Sequence, residues 1–404
     1  MRTPNPSPPA TGLAVTAVGA VTASGTSVAA LFDDLLAEHR PFAGREVPLV
    51  ANAMPGPPGE RARGRARELY AGHVQAPLGL AEAVGARTDR TLGRDSRLLV
   101  YAMHTTGAPL AAQEHPATDR TGVVLGTLHA GRNEYIAIHD AADGNAGPVN
   151  PVWGPQSGYN APAAQLSIQL AARGPNLTLS SGATAGLDAV VTGALQIRAG
   201  VCDTVVAAGL DTLSAAAGAP APGPGAVPEG EAAAVLVLEE AAPGDARVRT
   251  RLLGTGQAAG IPAAGPGAPL TVRELADAAE EAVRAALAEA DRDAAEVGLA
   301  VTTAGDAGPA ARAEAEALAA VFGPGLPACN ATSTTGRTGG ADGVIAVAVA
   351  AEALARGIVP PAAGSRPQPV APTGPLALCL SVDRGGKATA VLVGGTATER
   401  GETA

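Results

Sequence analysis

Two kinds of segment alternate along this chain of 404 residues. Some are continuous apolar runs that end in turns rich in Gly, Pro or polar residues, and others repeat apolar residues every three or four positions. The runs predict strands at 12–21, 121–127, 176–181, 204–211, 232–240, 249–257, 297–303, 328–332, 376–382 and 388–394. The periodic segments predict helices at 26–39, 96–113, 161–173, 184–199, 271–291, 310–321 and 339–356. Strands that alternate with helices predict an α/β protein with largely parallel sheets.

The same order of elements recurs in the two halves of the chain. Each half ends in two strands with no helix between them, 204–211 with 232–240 and 376–382 with 388–394. No motif repeats residue by residue, so the order of elements alone predicts a duplicated α/β unit. Residues 43–95 are rich in Gly, Pro and Arg, and their pattern predicts no particular element.

Composition excludes several classes of protein. With 46% hydrophobic and 16% charged residues, the chain is too apolar to be disordered. Its apolar runs are interrupted well before the ~20 residues that a membrane-spanning helix needs. The polar, Pro-rich residues 1–11 lack the apolar region of a signal peptide, and a net charge of −10 argues against nucleic-acid binding. We therefore expect a cytoplasmic protein that binds neither membrane nor nucleic acid.

The cysteines indicate no special chemistry. Cys202, Cys329 and Cys379 lie far apart and show no metal-binding spacing. They are expected to be buried free thiols in a reducing compartment. The Gly-rich segment near 254–268 lacks the Lys-Ser/Thr ending of a phosphate-binding loop. The sequence therefore indicates neither a metal nor another cofactor.

A tight turn of small residues at 180–184 is the strongest candidate for chemistry. It joins the strand at 176–181 directly to the helix at 184–199. Such a turn exposes one side chain at a helix N-terminus, where the helix dipole lowers the pKa of a thiol and stabilises a thiolate. The residue at that place is Ala183, which has no reactive group. On spacing alone, a turn that merely packs a helix on a strand explains the pattern equally well.

The segment 174–188 resembles the active-site turn of ketosynthases in the thiolase superfamily, and its Gly-Leu-Asp at 186–188 resembles the type II polyketide form. In active members of that family, a Cys that takes the acyl chain as a thioester stands at the place of Ala183. The resemblance extends over nearly the whole chain, from Gly12 to about Gly395. Many chain length factors, the non-catalytic partners of ketosynthases, have Gln at the place of Ala183.

Two further ketosynthase motifs can be located, and both are altered. Residues 303–309 resemble the His-Gly-Thr-Gly-Thr-Pro loop, with Ala304 at the place of the first catalytic His. Residues 331–340 resemble the Lys-Ser-x-x-Gly-His loop, with Thr332 for the Lys and Arg337 for the second His. The Thr-Gly-Arg that ends at Arg337 is typical of chain length factors.

The distribution of histidines supports a loss of catalysis. None of the six lies beyond His139, whereas the resemblance places both catalytic histidines in the second half. Condensation needs neutral imidazole donors to drive decarboxylation and to hold the enolate oxygen. The guanidinium of Arg337 is permanently cationic and cannot replace them. We expect Arg337 to pair with Asp306 or with backbone carbonyls.

Two segments depart from the family pattern. The stretch between Asp211 and Gly230 is short and lacks the usual Pro-Phe-Asp. The Gly-Phe-Gly gate near the C-terminus is replaced by Asp-Arg-Gly-Gly at 383–386.

The resemblance implies a thiolase-like α/β fold, with two similar halves in a five-layered α-β-α-β-α arrangement. It implies tails at 1–11 and 397–404 around halves at 12–245 and 246–396. It also implies that this protein forms a heterodimer with an active ketosynthase and shapes the cavity into which the polyketide grows. The second expected partner is an acyl carrier protein that carries the polyketide. The strand at 176–181 is then expected to pair antiparallel with its counterpart in the partner. The interface is expected to include Leu177, Leu179, Trp153 and Tyr159.

Three residues after the strand at 121–127 fall on positions that close the acyl tunnel in related chain length factors. Arg132, Tyr135 and His139 are spaced to share one helical face. The alternative is that this face merely packs against the partner. Aromatic residues make up only 2% of the chain, and Tyr135, Trp153 and Tyr159 lie close together in sequence. They are expected either to line the tunnel or to pack within the fold.

Two other functions stay open at this stage. One is a decarboxylase that primes the synthase by removing carbon dioxide from malonyl carrier protein. The other is a homodimeric thiolase-like scaffold with no role in polyketide synthesis. The pattern does not distinguish an aromatic from a polyene product.

Overall fold

The structure is a computed structural model that describes residues 12–48, 66–110, 119–142, 149–213, 227–265, 267–305, 308–361 and 368–395. Its strands are β1 (Gly12–Val21), β2 (Phe42–Pro48), β3 (Ala66–Gly72), β4 (Thr121–Gly126), β5 (Asn176–Leu179), β6 (Thr204–Asp211), β7 (Ala232–Ala241), β8 (Thr250–Ala259), β9 (Val297–Thr302), β10 (Ala328–Asn330), β11 (Leu376–Val382) and β12 (Lys387–Gly394). Its α-helices are α1 (Val28–Leu36), α2 (Ala81–Val84), α3 (Ala86–Asp89), α4 (Arg94–His104), α5 (Arg132–Ala141), α6 (Trp153–Gln156), α7 (Ala161–Leu170), α8 (Ala185–Arg198), α9 (Val272–Ala290), α10 (Pro309–Phe322), α11 (Thr332–Thr335) and α12 (Gly340–Arg356). The tails predicted at 1–11 and 397–404 lie outside the described residues.

Local signals explain where several helices begin. Ser27 caps α1 by accepting a hydrogen bond from the backbone N–H of Ala30. Thr271 and Glu274 form a reciprocal capping box at the start of α9.

The helix predicted at 96–113 ends earlier, at His104. The unassigned region 43–95 contains the hairpin of β2 and β3 and two short helices.

Ten strands form one mixed sheet in the order β10-β9-β11-β12-β8-β1-β7-β6-β4-β5. Parallel pairs join β4 to β5 and β6, and β9 to β10 and β11. The central strands and the pairs β6–β7 and β11–β12 are antiparallel. The prediction of largely parallel sheets was therefore wrong. Each half closes with two strands that have no crossover helix between them, β6 with β7 and β11 with β12, and each of these pairs is antiparallel.

The sheet consists of two five-stranded halves that meet where β1 pairs with β8 over two residue pairs. Helices α8 and α12 share one buried apolar cluster with strands of both halves. Helices α4 and α7 cover the outer face of the first half, and α9 and α10 cover the outer face of the second. This arrangement gives the five layers of the predicted thiolase-like α/β fold. The boundary predicted between residues 245 and 246 stays a prediction.

The central helices approach each other backbone to backbone. A Cβ atom at Gly186, in α8, would lie 2.4 Å from the carbonyl oxygen of Gly340, in α12. A Cβ atom at Gly340 would lie 2.3 Å from the carbonyl oxygen of Gly126, at the end of β4. Only glycine allows both contacts. They hold the N-termini of α8 and α12 side by side at the ends of the parallel strands.

Within the described ranges, no helix is long and apolar enough to cross a bilayer. Cys202, Cys329 and Cys379 are buried free thiols. Burial raises the pKa of Cys379 far above its usual value, which makes this thiol unreactive.

Candidate functional site

A cavity of about 560 Å³ opens at the carboxyl ends of the parallel strands. Its wall is formed by residues at or after the ends of β4, β6, β9 and β11, by the turn before α8, and by the segments just before β7 and around the start of α12. The cavity brings together Ala183, Ala304 and Arg337, three of the four positions predicted to be degenerate, and also Arg132. Residues from sequence-distant segments therefore converge on one site.

Ala183 lies in a 3₁₀ turn, Gly182–Thr184, that leads directly into α8. Its backbone N–H donates a hydrogen bond of 2.9 Å to Oδ2 of Asp383. Its carbonyl accepts a hydrogen bond of 2.9 Å from the hydroxyl of Ser381. Both partners come from the C-terminal end of the chain, so the turn is fixed by contacts between the two halves of the fold.

Ala304 is held by a buried carboxyl group. Its backbone N–H donates to Oε2 of Glu314, at 3.1 Å, and the N–H of Val382 donates to Oε1, at 3.2 Å. Burial raises the pKa of Glu314 to about 8 and outweighs these hydrogen bonds, which lower it. Ala304 itself ends at its Cβ atom and so carries no group that could donate or accept a proton as an imidazole does.

Arg337 forms an ion pair with Glu229, with 2.6 Å between Nη2 and Oε1. Backbone hydrogen bonds reinforce the contact: the N–H of Arg337 donates to Pro228, and the N–H of Gly230 donates to Arg337. The predicted partner, Asp306, lies outside the described residues. The Arg337 side chain is 36% exposed rather than buried. Glu229 was missed because it lies in the shortened stretch that lacks the family motif.

Thr332 is separate from the cavity wall. It is buried at the start of α11, and its hydroxyl donates a hydrogen bond of 2.6 Å to Oδ1 of Asn330. The side chain fills space behind Gly305, where a Cβ atom would meet the Thr332 hydroxyl. The structure therefore brings three of the four predicted positions into the cavity and places the fourth behind its wall.

Sequence profiles of known families match most of the chain. The profile of the N-terminal domain of β-ketoacyl synthases matches residues 10–221, and the profile of the C-terminal domain matches residues 257–366. The chain belongs to the β-ketoacyl synthase family. The resemblance inferred from the motifs is thereby confirmed at the level of the family. No curated protein matches the sequence.

Solved structures share the fold of this β-ketoacyl synthase family member at low identity. The ishigamide ketosynthase/chain length factor matches with a TM-score of 0.68 and 22% identity, covering 95% of this chain and 99% of the other. A ketosynthase in complex with its chain length factor from Xenorhabdus doucetiae matches with a TM-score of 0.73 and 22% identity, covering 95% and 98%. A β-ketoacyl synthase from Burkholderia phymatum STM815 matches with a TM-score of 0.72 and 21% identity, covering 96% and 100%. At these identities the likeness establishes the fold.

The three predicted tunnel residues of this family member do not share one environment. Arg132, the first residue of α5, lines the cavity. Tyr135 is 55% exposed and His139 is also exposed, and neither lines that cavity. Their rings contact each other with centroids 4.5 Å apart. They therefore lie on the surface of the chain, where a partner could cover them.

The residues predicted at the subunit interface lie at one edge of the sheet. Strand β5 pairs with β4 and, among the strands described, with no other. Leu177 is exposed on β5, while Leu179 is half-buried and packs against the central core. Tyr159 is exposed and Trp153 is half-buried in the α6–α7 region beside β5.

Two acidic residues in the cavity wall, Asp211 and Asp342, were not anticipated from the sequence. Asp211, at the end of β6, accepts hydrogen bonds from Thr127, Leu128, His129 and Gly340. Burial raises its pKa to about 6. The position of Asp211 at the end of an apolar strand was the only sequence signal that its carboxylate would organise the surrounding backbone through hydrogen bonds.

Asp342, near the N-terminus of α12, also lines the cavity and is half-buried, and removal of its carboxyl group from solvent raises its pKa to about 7. Asp211 accepts a hydrogen bond from the N–H of Gly340, which ties β6 to α12, and Asp342 accepts one from the N–H of Thr338, which fixes the start of α12. Across the described part of the chain, no group of His, Cys, Asp and Glu side chains is arranged to hold a metal ion.

Proposed function

We propose that the chain is the chain-length-factor subunit of a type II polyketide synthase, active only in a heterodimer with a catalytic ketosynthase. The observation that carries this proposal is the cavity itself. Ala183, Ala304 and Arg337 meet there while the family fold around them is intact. A protein without any function would not be expected to retain this packed cavity wall. The retained wall therefore favours a role other than condensation.

The surface around β5 supports a partner of the same fold. Five of the nine large exposed apolar side chains among the described residues lie on the connected elements α5, α6, α7 and β5 or directly beside them. They are Tyr135, Val152, Tyr159, Ile168 and Leu177. An unpaired strand edge flanked by apolar side chains favours addition of a strand from another chain. In solved structures with this fold, a ketosynthase is found in complex with its chain length factor.

The partner would supply the nucleophile and both histidines, and a carrier protein would deliver the acyl chain. In this proposal the chain acts sterically: residues of α5 limit how far the polyketide extends at the boundary between the subunits. Arg132 would face the cavity side of that boundary. Tyr135 and His139, whose rings contact each other at a tilt on the exposed surface of α5, would face the partner.

Co-expression with an intact ketosynthase of the same biosynthetic locus tests the proposal. We expect a one-to-one complex by size-exclusion chromatography with mass analysis. Ile168→Asp and Leu177→Asp should each abolish it, because a buried unpaired charge is costly. Ile261→Asp is the matched control, since Ile261 is 82% exposed but lies beyond β8 in the other half. A homodimer that ignores the ketosynthase would favour the scaffold function instead.

Decarboxylase activity is tested on the same preparation. The chain alone, incubated with malonyl carrier protein, should release no carbon dioxide above the rate without protein. Release by the chain without its ketosynthase would replace the proposed function by the priming decarboxylase.

A further inference from the structure

A carboxylate occupies the N-terminus of the helix at the place of the missing nucleophile. Oδ2 of Asp383 accepts the hydrogen bond from the backbone N–H of Ala183, at 2.9 Å. Oδ1 of the same side chain accepts from the N–H of Gly385, at 2.7 Å. Both oxygens of Asp383 are therefore engaged by backbone donors, and the side chain has one well-defined position.

The hairpin between β11 and β12 builds this position. The backbone N–H of Asp383 donates to the carbonyl of Lys387, and the N–H of Gly386 donates to the carbonyl of Asp383, closing a tight turn. On the other side, Gly182 has a φ of +71°, and a Cβ atom there would lie 2.2 Å from Oδ2 of Asp383. The carboxylate fits only because residue 182 is glycine.

The backbone N–H of Ala183 occupies a position that has a known role in acyl-transfer enzymes. In acyl transfer, backbone N–H groups at the nucleophile's turn stabilise the oxyanion that develops on the carbonyl oxygen. The start of a helix adds a favourable dipole for negative charge. In this chain that donor is already saturated by a fixed carboxylate, which is itself an anion.

We infer that Asp383 acts as an internal substitute for the acyl oxyanion and closes the cavity to thioester chemistry independently of the loss of the nucleophile. The inference deepens the proposed function and rests on it only in taking Ala183 as the nucleophile's place. It predicts that a thiol alone cannot restore acyl capture. The substrate's carbonyl oxygen would have no free donor, and the adjacent carboxylate would oppose formation of a thiolate.

Thioester exchange at residue 183 is the reaction to follow. In the A183C variant, the thiolate sulfur would attack the carbonyl carbon of butyryl-N-acetylcysteamine and form a new carbon–sulfur bond. The resulting oxyanion would collapse, the bond to the N-acetylcysteamine sulfur would break, and the released thiolate would take a proton from water. Peptide mapping by mass spectrometry locates the butyryl group and separates residue 183 from the three buried native cysteines.

Three full-length variants of the chain, each measured without the partner, separate charge from occupancy: A183C, A183C/D383N and A183C/D383G. Asn keeps an oxygen acceptor but removes the charge, whereas Gly removes both. Rates of alkylation by iodoacetamide against pH give the pKa of the introduced thiol. We expect this pKa to fall by about one unit or more in both double variants. Butyrylation should rise modestly with D383N and about a hundredfold with D383G, because only Gly frees the N–H donor.

R384Q in the A183C background is the control for a general loosening of the hairpin, since Arg384 also lines the cavity. It should not accelerate butyrylation. Equal butyrylation rates and equal thiol pKa values in A183C and both double variants would overturn the inference. If D383G prevents folding, the change in thiol pKa caused by D383N decides alone. Formation of the complex is measured separately, so a failed heterodimer would contradict the proposed function and not this inference.

Discussion

The ammonium group of Lys387 lies 2.8 Å from Oδ2 of Asp188 and joins the two halves of the fold. Lys387 is the only lysine of the chain and begins β12, whereas Asp188 is buried in the first turn of α8. Thr389 and Gln257 also donate to this carboxylate, at 2.7 Å and 2.6 Å. Burial alone would raise the pKa of Asp188, but the hydrogen bonds, with that of Lys387 first, hold it below its ordinary value. The aspartate of the Gly-Leu-Asp motif thus has a structural role close to the turn that carries Ala183.

Replacing Lys387 by Met should destabilise the chain by about 1–2 kcal/mol. The effect stays below that of breaking a fully buried ion pair, because the Lys387 side chain is 37% exposed and Asp188 keeps its other donors. Urea unfolding measures the loss. Lys387→Arg should retain most of the stability, and Arg273→Met, at an exposed ion pair on α9, should change it little. A K387M variant as stable as the parent would show that the hydroxyl and amide donors suffice.

Glu314 should make the chain less stable as pH rises. Its pKa is raised by burial from 4.5 to about 8, so the folded chain binds this proton more tightly than the unfolded chain. The contribution to stability is complete below the unfolded pKa and is lost as pH rises through the folded one. The slope is at most about 1.4 kcal/mol per pH unit for one group.

Glu314→Gln removes this titration, so its free energy of unfolding should depend less on pH between about 5 and 8. Asp95, Asp211 and Asp342 have raised pKa values too, but they are present in both proteins and cancel in the comparison. Glu316→Gln, on the exposed side of α10, is the matched control and should leave the profile unchanged. Parallel profiles for the parent and E314Q would mean that Glu314 is ionised in the folded chain across this range.

Gly186→Ala should be among the most damaging small substitutions. The added methyl group would lie 2.4 Å from the carbonyl oxygen of Gly340, so α8 and α12 would have to separate. We expect a loss of about 2–3 kcal/mol, visible as a lower thermal midpoint and less soluble protein. Gly325→Ala, where a Cβ atom meets nothing within 4 Å, should be tolerated. Equal midpoints for the two variants would contradict the close packing of the central helices.

The helices and strands could be predicted from the sequence because hydrophobic periodicity and capping residues, which determine them, are local features of the chain. The period of α9 and its cap at Thr271 are both visible in the sequence. Pairing direction is not local: β7 pairs antiparallel with β6 and also with β1, far away in the chain. The largely parallel sheet was therefore predicted wrongly, although every strand of the ten-stranded sheet was recognised.

The residues of the candidate site could be predicted only in part, because family motifs are local stretches of sequence. Alignment with family motifs located Ala183, Ala304 and Arg337, and the structure places them around one cavity. Family motifs do not predict which side chains contact a position whose residue has changed. Glu229 opposite Arg337 and Asp383 opposite Ala183 become visible only when segments more than a hundred residues apart come together.

Tyr135 provides the sharpest test of chain-length control. Its side chain is exposed on α5, the helix that packs on α6, and its ring contacts His139. In the proposed complex, a partner that docks on this surface would press the Tyr135 ring toward the boundary between the subunits, where a bulky group would limit the growing polyketide by sterics alone. Tyr135→Ala removes that bulk without touching any catalytic group.

We therefore expect the Y135A complex to form, to remain active and to yield longer polyketides, as measured by mass spectrometry of the products. Tyr159→Ala is the matched control, because Tyr159 is exposed to a similar extent, at 51%, but lies between α6 and α7. It should weaken the complex slightly or not at all and leave product length unchanged. Unchanged product length from an intact, active Y135A complex would make Tyr135 a packing residue. The limit on chain growth would then have to come from the cavity side of α5, where Arg132 lies.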